Sequence, residues 1–445
     1  MLLVASGTTA ARAADPTPTA SALGGVVPPG RLIDVPADVA SLRAAIDVAQ
    51  PGDVIQLAAG TYDGGIVIPE EKHDLTIRGV DRNAVVFFGK GFRLNAIEVE
   101  ADRVTLENMS AYDFDGNGFY WEGVEGFTAR YLTVWDLGLY GIYATTSHGG
   151  VIEHSLVSGA ADAAFYIGEC RPCDTEIRDV EGRLSAIGYS GTNTGPGTVV
   201  RDSVWDRNGT GILPNSFEGQ ALPPPERASR FEHNVVRDSG RVPVPANSPL
   251  AGFSGIGIGI AGGQDNAATG NTITGSSRYG VAVFPTLQES GNVIVPSGNT
   301  IEANTISSSG IADLGITQGA GPNCFHGNTF EASLPSAIES KFGCTGGPSG
   351  QGDPRVSGDL AIPVPEALDR LAAQGPRPAF NSMPKPEPAP NSPDPLPPGL
   401  GSFRETSSPI LVAGGVALLA VVVLGLFVAW RVLVRRRVRR HESAG

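Results

Sequence analysis

The chain has 445 residues, enough to bury a large core, and it contains 59 glycines and 35 prolines. Aromatic residues make up 7% of it, which is typical of a turn-rich fold rather than a helical one. The formal net charge is −14, and the last fifteen residues hold six arginines and one glutamate, a local +5 that leaves −19 for the remainder. A body that acidic excludes nucleic acid as a partner, because affinity for nucleic acid comes mainly from cationic contacts with phosphate.

Residues 1–13 are typical of the end of a secretory signal. Residues 2–5 form a short apolar run and Ala11-Arg12-Ala13 is an A-x-A cleavage pattern, although no basic segment precedes the run. The alternative is an alanine-rich tail without a targeting role. Residues 14–30 are mostly Pro, Thr, Ala, Val and Gly and are expected to be a flexible lead-in.

The folded part is predicted to begin at Arg31 with a strand, followed by a short helix at residues 41–49 behind a serine N-cap. The run AIDVAQPGDVIQLAAGTY and the later LTIRGV resemble the N-terminal cap and first coils of right-handed β-helix proteins of the pectin-lyase-like superfamily. This resemblance spans residues 31–344 and implies an all-β, right-handed parallel β-helix with a capping helix. It leaves the activity open, because one fold hosts many functions.

One short apolar phrase recurs between Gly116 and Ile316. The first five central residues are separated by 23, 23, 22 and 25 positions, and the phrase resumes after an insertion. In order they are Phe119, Ile142, Phe165, Ile187 and Ile212, then Ile258, Val281 and Leu314-Gly315-Ile316. A second, β-branched phrase bounded by turn residues alternates with it. A period of this size without helical spacing predicts a parallel β-helix, which we expect to occupy residues 31–348.

Turn residues within the repeat predict further features. Asparagines fall at similar places in several coils and are expected to stack as a structural ladder: Asn108, Asn234, Asn271, Asn304 and Asn328. Two proline-rich insertions, residues 222–227 and 242–247, cannot be interior strands because proline lacks the ladder donor. We expect them to protrude as loops, where sites are often built.

Four tyrosines follow one another at a constant interval that matches the period of the repeat: Tyr120, Tyr143, Tyr166 and Tyr189. The first three each follow a residue placed inside, so alternation along the strand should turn them outward. One interpretation is a structural aromatic stack. The other is a carbohydrate-binding platform on which flat sugar faces lie, with the phenol hydroxyls as hydrogen-bonding groups.

Candidate catalytic residues are acidic side chains near that row and one arginine: Asp162, Glu169, Asp174 and Arg201. Paired carboxylates are suited to glycoside hydrolysis, and carboxylates with a bound calcium ion and a basic residue to uronate elimination. The sequence lacks the Asn-Thr-Asp and Gly-His-Gly pair of polygalacturonases and the Asp-Pro-His run of alginate epimerases. No metal or other cofactor is predicted, except calcium if the protein is a lyase. His154 and His233 are interpreted as turn residues.

Four cysteines are expected to form structural disulfides in an exported chain. Cys324 and Cys344 flank the last coils, and a bond between them would close the C-terminal end. Cys170 and Cys173 form a lone CxxC, for which a small disulfide loop, a redox pair and half of a metal site remain alternatives. The disulfide loop is the simplest interpretation.

Beyond the solenoid, residues 349–375 are expected to be a C-terminal cap with a short helix at Glu366–Leu371. Residues 376–408 are proline-rich and predict an extended linker. The segment 409–432 contains 21 successive uncharged residues from Ile410 to Trp430, long enough for a transmembrane helix, and residues 433–445 form a basic tail. The arginines predict a cytoplasmic C-terminus, hence a single-pass cell-membrane protein whose N-terminal domain is extracytoplasmic.

These features predict a membrane-anchored extracytoplasmic β-helix that binds, and in one version processes, a polysaccharide. As an enzyme it would be a polysaccharide lyase, a glycoside hydrolase or an epimerase. The alternative is a non-catalytic structural or interaction scaffold on the cell surface. A resemblance to periplasmic β-helix proteins that help mature copper reductases is disfavoured, because 3 Met and 4 Cys do not make a soft-metal patch. The expected partners are a polysaccharide and the membrane.

Overall fold

The computed structural model describes residues 30–345 and 350–403. In this part of the chain, 21 strands form sheet 1, 11 strands form sheet 2, and two more form a separate antiparallel hairpin. Successive coils pair in parallel, so that each turn of the chain adds strands to both sheets. The expected parallel β-helix is confirmed.

The strands are, in chain order, β1 (Arg31–Val35), β2 (Val54–Leu57), β3 (Gly60–Asp63), β4 (Ile66–Ile68), β5 (Thr76–Gly79), β6 (Val85–Phe88), β7 (Asn95–Val99), β8 (Val104–Phe114), β9 (Asn117–Glu122), β10 (Glu125–Leu137), β11 (Ile142–Thr145), β12 (His148–Glu153), β13 (Leu156–Ala160), β14 (Ala163–Gly168), β15 (Thr175–Arg178), β16 (Glu181–Arg183), β17 (Ile187–Thr192), β18 (Thr198–Arg201), β19 (Val204–Asp206), β20 (Thr210–Asn215), β21 (Arg230–Glu232), β22 (Val235–Arg237), β23 (Ile256–Ala261), β24 (Ala267–Thr269), β25 (Thr272–Thr274), β26 (Tyr279–Phe284), β27 (Thr286–Leu287), β28 (Val293–Ile294), β29 (Thr300–Glu302), β30 (Thr305–Ser307), β31 (Ala312–Ile316), β32 (Cys324–His326), β33 (Ser333–Leu334) and β34 (Gly401–Ser402). Sheet 2 consists of β4, β7, β9, β11, β14, β17, β20, β23, β26, β31 and β33, the hairpin is β27–β28, and the others form sheet 1.

The helices are α1 (Leu42–Val48), α2 (Ile338–Lys341), α3 (Pro354–Leu360) and α4 (Val364–Ala372), with short 3-10 turns at Pro249–Phe253 and Phe380–Ser382. The predicted capping helix is α1: the Ser41 hydroxyl accepts the Ala44 N–H at 3.3 Å, and Leu42, Ala45 and Ile46 are buried. The predicted closing helix at 366–371 lies within α4. Helix α1 therefore covers apolar side chains at the N-terminal end of the solenoid.

The prediction of which side chains of sheet 2 face inward and stack from coil to coil, the interior column, was wrong at one position. Ile142 pairs with Phe119 on one side and with Phe165 on the other. Phe165 then pairs with Tyr189, and Tyr189 pairs with Ile212. The placement of Ile187 in the interior column was therefore wrong. Its side chain packs on the outer face of sheet 2, because the coil that contains the CxxC pair is one residue longer than its predecessors and brings Tyr189 to the inward position.

Apolar residues on the outer face of sheet 2 are covered by the C-terminal helices. Ile187, Leu213 and Tyr279 belong to one buried cluster with Val356 and Leu360 of α3. Helix α3 lies against β26 and β31, and α4 lies against the 3-10 turn at Pro249–Phe253. The C-terminal helices thus bury the outer face of sheet 2 along the side of the solenoid.

The expected asparagine ladder forms from four of the five predicted residues. Asn234 donates to Asn271 at 3.1 Å, Asn271 to Asn304 at 2.9 Å and Asn304 to Asn328 at 2.9 Å. Asn108 does not join them. It lies at the left-handed turn position, with φ of 61°, one place before the ladder position, so including it was wrong.

Both disulfides are present, Cys170–Cys173 and Cys324–Cys344, which confirms the structural interpretation of the cysteines. The proline-rich insertions do not protrude as expected. In residues 222–227 the Glu226 side chain is fully buried, and in residues 242–247 Val244 is buried while the Asn247 amide donates to the Gly138 carbonyl at 3.0 Å. The Glu226 carboxylate and the Asn247 amide are hydrogen-bonded to the coils beneath them.

The proline-rich residues expected to form an extended linker lie along the solenoid as far as they are described. The Met383 N–H donates to Asp136 at 3.0 Å, and the Gly401 N–H donates to the Gly30 carbonyl at 3.0 Å. Met383, Ala389, Ser392 and Gly401 of this segment are therefore bonded to the coils. The prolines prevent a regular strand here because they lack an N–H group. The residues between them keep theirs, and these isolated N–H groups can bond to side chains.

Within residues 30–345 and 350–403, no helix has the length and apolarity needed to cross a membrane. The predicted transmembrane segment 409–432, the basic tail 433–445 and the signal remnant 1–13 lie outside the described residues.

Candidate functional site

Three of the four predicted tyrosines stack on the outer face of sheet 2. The Tyr120 and Tyr143 ring centroids are 4.8 Å apart at an interplanar angle of 24°, and those of Tyr143 and Tyr166 are 4.8 Å apart at 51°. Strand register places each tyrosine opposite the next. Tyr120 and Tyr143 are half-buried, whereas Tyr166 is 4% exposed, so the stack opens to solvent at its Tyr120 end.

Tyr189 does not belong to the stack, so its assignment to the binding row was wrong. It is fully buried and faces inward, with its ring near Trp205 and Phe231. The residue in register with Tyr166 is Ser190, because this coil is one residue longer than the spacing of the tyrosines. A constant interval between two tyrosines therefore does not prove that they share a face.

Tyr140 is a member of the stack that the sequence analysis missed. Its ring lies 4.5 Å from that of Tyr143 at 8°, and 5.1 Å from that of Tyr166. The repeated phrase Tyr-Gly-Ile-Tyr in this coil was the available signal. Since Tyr120 and Tyr140 both lie nearly parallel to Tyr143, they cover its two faces. A sugar therefore cannot lie flat on Tyr143, and the stack presents ring edges and hydroxyls instead.

Carboxylates surround this stack. Asp162 is 8% exposed and accepts hydrogen bonds from the Tyr140 and Ser248 hydroxyls, and burial raises its pKa. Burial also raises the pKa of Tyr143 to about 12, with further increases from the charges of Glu169, Glu122 and Asp162. The structure thus brings the candidates Asp162 and Glu169 near the tyrosines. Glu169 also accepts the Ala221 N–H at 2.6 Å.

The other two catalytic candidates lie elsewhere. Asp174 is an exposed turn residue with φ of 46° immediately before β15. Arg201 lies in sheet 1, where its guanidinium pairs with Glu176 and Asp202, each at 2.5 Å. The four candidates therefore do not form one catalytic centre. Arg201 instead belongs to a surface row of ion pairs along sheet 1.

An acidic cavity of about 650 Å³ lies beside the open end of the stack. It forms where the chain leaves sheet 2 and enters sheet 1, and its charged and titratable lining residues are Glu70, Glu100, Asp102, Glu122, Glu125 and His148. Successive coils supply these acids at similar turn positions. The sequence analysis did not predict this cavity. The available signal was a glutamate at or within two residues of the end of three successive sheet 2 strands, β4, β7 and β9.

Glu122 connects the cavity with the tyrosine stack. Its carboxylate lines the cavity and accepts a hydrogen bond from the Tyr120 hydroxyl at 2.5 Å. This hydroxyl is held in its protonated form, because burial and then the Glu122 hydrogen bond and charge raise the pKa of Tyr120 well above its usual value. The Tyr120 hydroxyl is thus bonded to one of the five carboxylates that line the cavity. The described residues include no group of three or more His, Cys, Asp or Glu placed to share a metal ion.

A family model described as the right-handed β-helix region matches residues 117–288. No curated protein sequence matches the chain. Among solved structures, an alginate lyase from Paenibacillus sp. FPU-7 is 17% identical over 65% of this chain and 99% of its own, with a TM-score of 0.48. A mannuronan C-5 epimerase A-module from Azotobacter vinelandii is 17% identical over 68% of this chain and 93% of its own, with a TM-score of 0.40.

The catalytic domain of an α-1,3-glucanase of family GH87 is 14% identical over 71% of this chain and 69% of its own, with a TM-score of 0.42. The TM-scores of these three structures are low. The substrates in their names are those of the enzymes compared. The family match agrees with the observed strand order and register, and this agreement does not depend on the solved structures compared. The family match and the parallel register together show that residues 117–288 lie in a right-handed parallel β-helix.

Proposed function

We propose that the chain binds a neutral polysaccharide in the acidic cavity, with the Tyr120 end of the tyrosine stack as one wall. The observation that carries this proposal is the position of Glu122, which belongs to both the cavity and the stack. A cavity of about 650 Å³ is of the size that holds a small ligand or a few sugar units.

The charges of the cavity favour a neutral ligand. Carboxylates accept hydrogen bonds from sugar hydroxyls, and such charge-assisted bonds are stronger than neutral ones. Five carboxylates would repel a polymer that carries a negative charge on each unit, and His148 is the one basic side chain among the described lining residues. The Arg103 guanidinium nearby is engaged by Asp74 at 2.7 Å. A polyuronate is therefore a poor fit.

Binding without turnover is the form of the proposal that the geometry supports. Asp162 and Glu169 are held by hydrogen bonds within the coils, and Asp174 and Arg201 lie away from the stack. Hydrolase, lyase or epimerase activity, and calcium with a lyase, would follow only if turnover were measured. The extracytoplasmic location and membrane attachment through residues 409–432 are part of the proposal. They rest on the sequence and are consistent with two disulfides.

The test is isothermal titration of the whole chain with neutral glucan and mannan oligosaccharides and with oligouronates, at low and moderate salt. We expect a neutral oligosaccharide to bind and Glu122→Gln to weaken it about tenfold, the equivalent of about 1.4 kcal/mol. The matched control is Glu289→Gln, an exposed glutamate in the hairpin loop, which should bind like the parent.

After each titration, the oligosaccharide is assayed for new reducing ends and unsaturated ends, which would reveal turnover. If no neutral oligosaccharide binds, or if oligouronates bind more tightly, the cavity is not a neutral-glycan site. The non-catalytic scaffold then becomes the better account of the protein.

A further inference from the structure

Residues 383–394, here called the strap, cross the outer face of sheet 1 on a row of stacked aromatic rings. Phe88 and Tyr112 stack at 4.7 Å and 14°, and Tyr112 and Trp135 at 4.7 Å and 4°. The Lys385 ammonium lies 5.5 Å from the Trp135 ring centroid. Trp135 is 4% exposed, whereas Phe88 and Tyr112 are half-buried, so the row is covered at its Trp135 end.

Three backbone N–H groups of the strap each donate to a side-chain oxygen of the sheet. The Met383 N–H donates to Asp136 at 3.0 Å, that of Ala389 to Asn83 at 3.0 Å, and that of Ser392 to Asn108 at 2.9 Å. In return, the Asn83 amide donates to the Ala389 carbonyl at 2.9 Å.

Asp136 and Asn108 both have φ near 60°, a left-handed turn conformation that places their side chains on this face. The receiving groups are therefore fixed by the coils. They do not depend on the strap for their position.

The C-terminal part of the strap is hydrogen-bonded to Arg82. The Arg82 guanidinium is 2% exposed, and it is held by Thr133 at 2.7 Å and by the His154 carbonyl at 3.0 Å. It also donates to the Pro390 carbonyl at 3.3 Å, while the Arg82 N–H donates to the Asn391 side chain at 2.7 Å. The strap ends on an ion pair between Arg130 and Asp394 at 2.6 Å.

We propose that this face of sheet 1 is a recognition groove for extended proline-rich peptides with an acidic end, and that the strap is its resident ligand. Aromatic rows and isolated backbone hydrogen bonds are how proline-rich segments are bound by other proteins, because such segments are already extended before binding. The three groups that receive N–H bonds are spaced to match the non-proline residues of the strap. An uncharged polymer without N–H groups would leave Asp136, Asn83 and Asn108 without these bonds.

The groove therefore has a peptide-binding activity that the strap masks. Because the strap is covalently attached, it competes at an effective concentration on the order of millimolar, which a free peptide must overcome. Weakening the strap should expose the groove to a peptide in trans. This proposal is independent of carbohydrate binding in the acidic cavity.

The test uses the whole chain and a fluorescent peptide with the sequence of residues 383–394. In the variant Asn391→Ala with Asp394→Ala, the strap loses its side-chain bonds to Arg82 and Arg130, and the peptide should bind at least about tenfold more tightly than to the parent. A control peptide that carries the same two changes should not bind. A further Asn83→Ala change in the groove should abolish binding of the parent peptide.

The binding of the parent peptide and of the control peptide, together with a second measurement, decides the proposal. No binding to the loosened chain, or equal binding of both peptides, overturns it and leaves the strap as a clamp. If the doubly changed chain does not fold, Lys385→Ala in the strap serves instead, with the same expectation at a smaller ratio. A concentration-dependent dimer that the peptide dissociates would also support the groove, with a second copy's strap as the ligand.

Discussion

The Tyr120 hydroxyl donates to the Glu122 carboxylate two residues later on the same strand, at 2.5 Å. Both residues face outward, because they lie on the same side of the pleat. Tyr120 ends the aromatic stack and Glu122 lines the acidic cavity. This single contact therefore fixes the orientation of a phenol at the edge of the cavity, and it can be removed without disturbing ring stacking.

Tyr120→Phe should weaken binding of a neutral oligosaccharide about fivefold, the equivalent of about 1 kcal/mol for one hydrogen bond. The ring and its contact with Tyr143 remain, so the thermal midpoint should stay close to that of the parent. Titration calorimetry and calorimetric unfolding measure the two effects. The matched control is Tyr62→Phe, which removes a hydroxyl bonded to the Ala58 carbonyl at 2.7 Å, away from the cavity. Equal loss in both variants would contradict a specific role for Tyr120.

Glu226 should make stability depend on pH. It is fully buried, and burial raises its pKa to about 7, although Ser229, Asn266 and Thr194 donate to it. The folded-state pKa lies above the ordinary value of 4.5, so the folded protein binds more protons between those two values. The contribution of Glu226 to stability is therefore full below about pH 4.5 and is lost as pH rises to about 7.

Glu226→Gln should remove this contribution to the pH dependence, because the amide stays neutral and can still bond to the Asn266, Ser229 and Thr194 side chains. Unfolding midpoints at pH 5 and pH 8 provide the measurement. The difference between the two midpoints should shrink in the variant. A difference as large as that of the parent would mean that another group dominates this range.

The two disulfides should contribute unequally to stability. The Cys324–Cys344 bond spans 20 residues and the Cys170–Cys173 bond spans 3. In the chain-entropy model, the longer loop stabilises the folded state by about 3 kcal/mol and the shorter by about half of that. Double alanine variants of each pair, unfolded in denaturant, test the order. A larger loss from the short loop would show that packing around Cys170 and Cys173, rather than chain entropy, controls the effect.

Asn271→Ala should destabilise the solenoid by about 2–4 kcal/mol, because it breaks the ladder in its middle. The Asn271 amide donates to the Phe231 carbonyl and to Asn304, each at 2.9 Å, and its oxygen accepts from Asn234. All three partners are buried and would lose a bond. Asn328→Ala at the end of the ladder is the comparison and should cost less. Equal costs would mean that the ladder bonds act independently of position.

The repeat predicted most of the fold because its period is a local property of the chain. A nearly constant period and short β-branched phrases were sufficient for the solenoid, the capping helix and four members of the asparagine ladder. The failures at Ile187 and Tyr189 occur in the same coil, which is lengthened by one residue. Since side chains alternate along a strand, that single residue turned Tyr189 from the outer face to the interior.

The candidate site was less predictable because its parts are joined by stacking between coils. Tyr120 and Tyr143 were found from their spacing, but the cavity requires knowing that Glu70, Glu100 and Glu122 lie in neighbouring turns. The binding of residues 383–394 was not predictable at all from local composition. Proline-rich sequence indicates an extended chain, whereas the partners Asn83 and Asn108 lie about three hundred positions earlier.

The bond between the Gly401 N–H and the Gly30 carbonyl has a mechanical consequence. Residues 30 and 401 lie side by side, so a pulling force applied between them does not stretch the rod along its length. It first breaks this contact and then peels the chain away from sheet 1, bond by bond, through the Asp394 and Ser392 contacts. The contacts of Asp394 with Arg130 and of Ser392 with Asn108 are therefore expected to break one after another before the parallel strands separate.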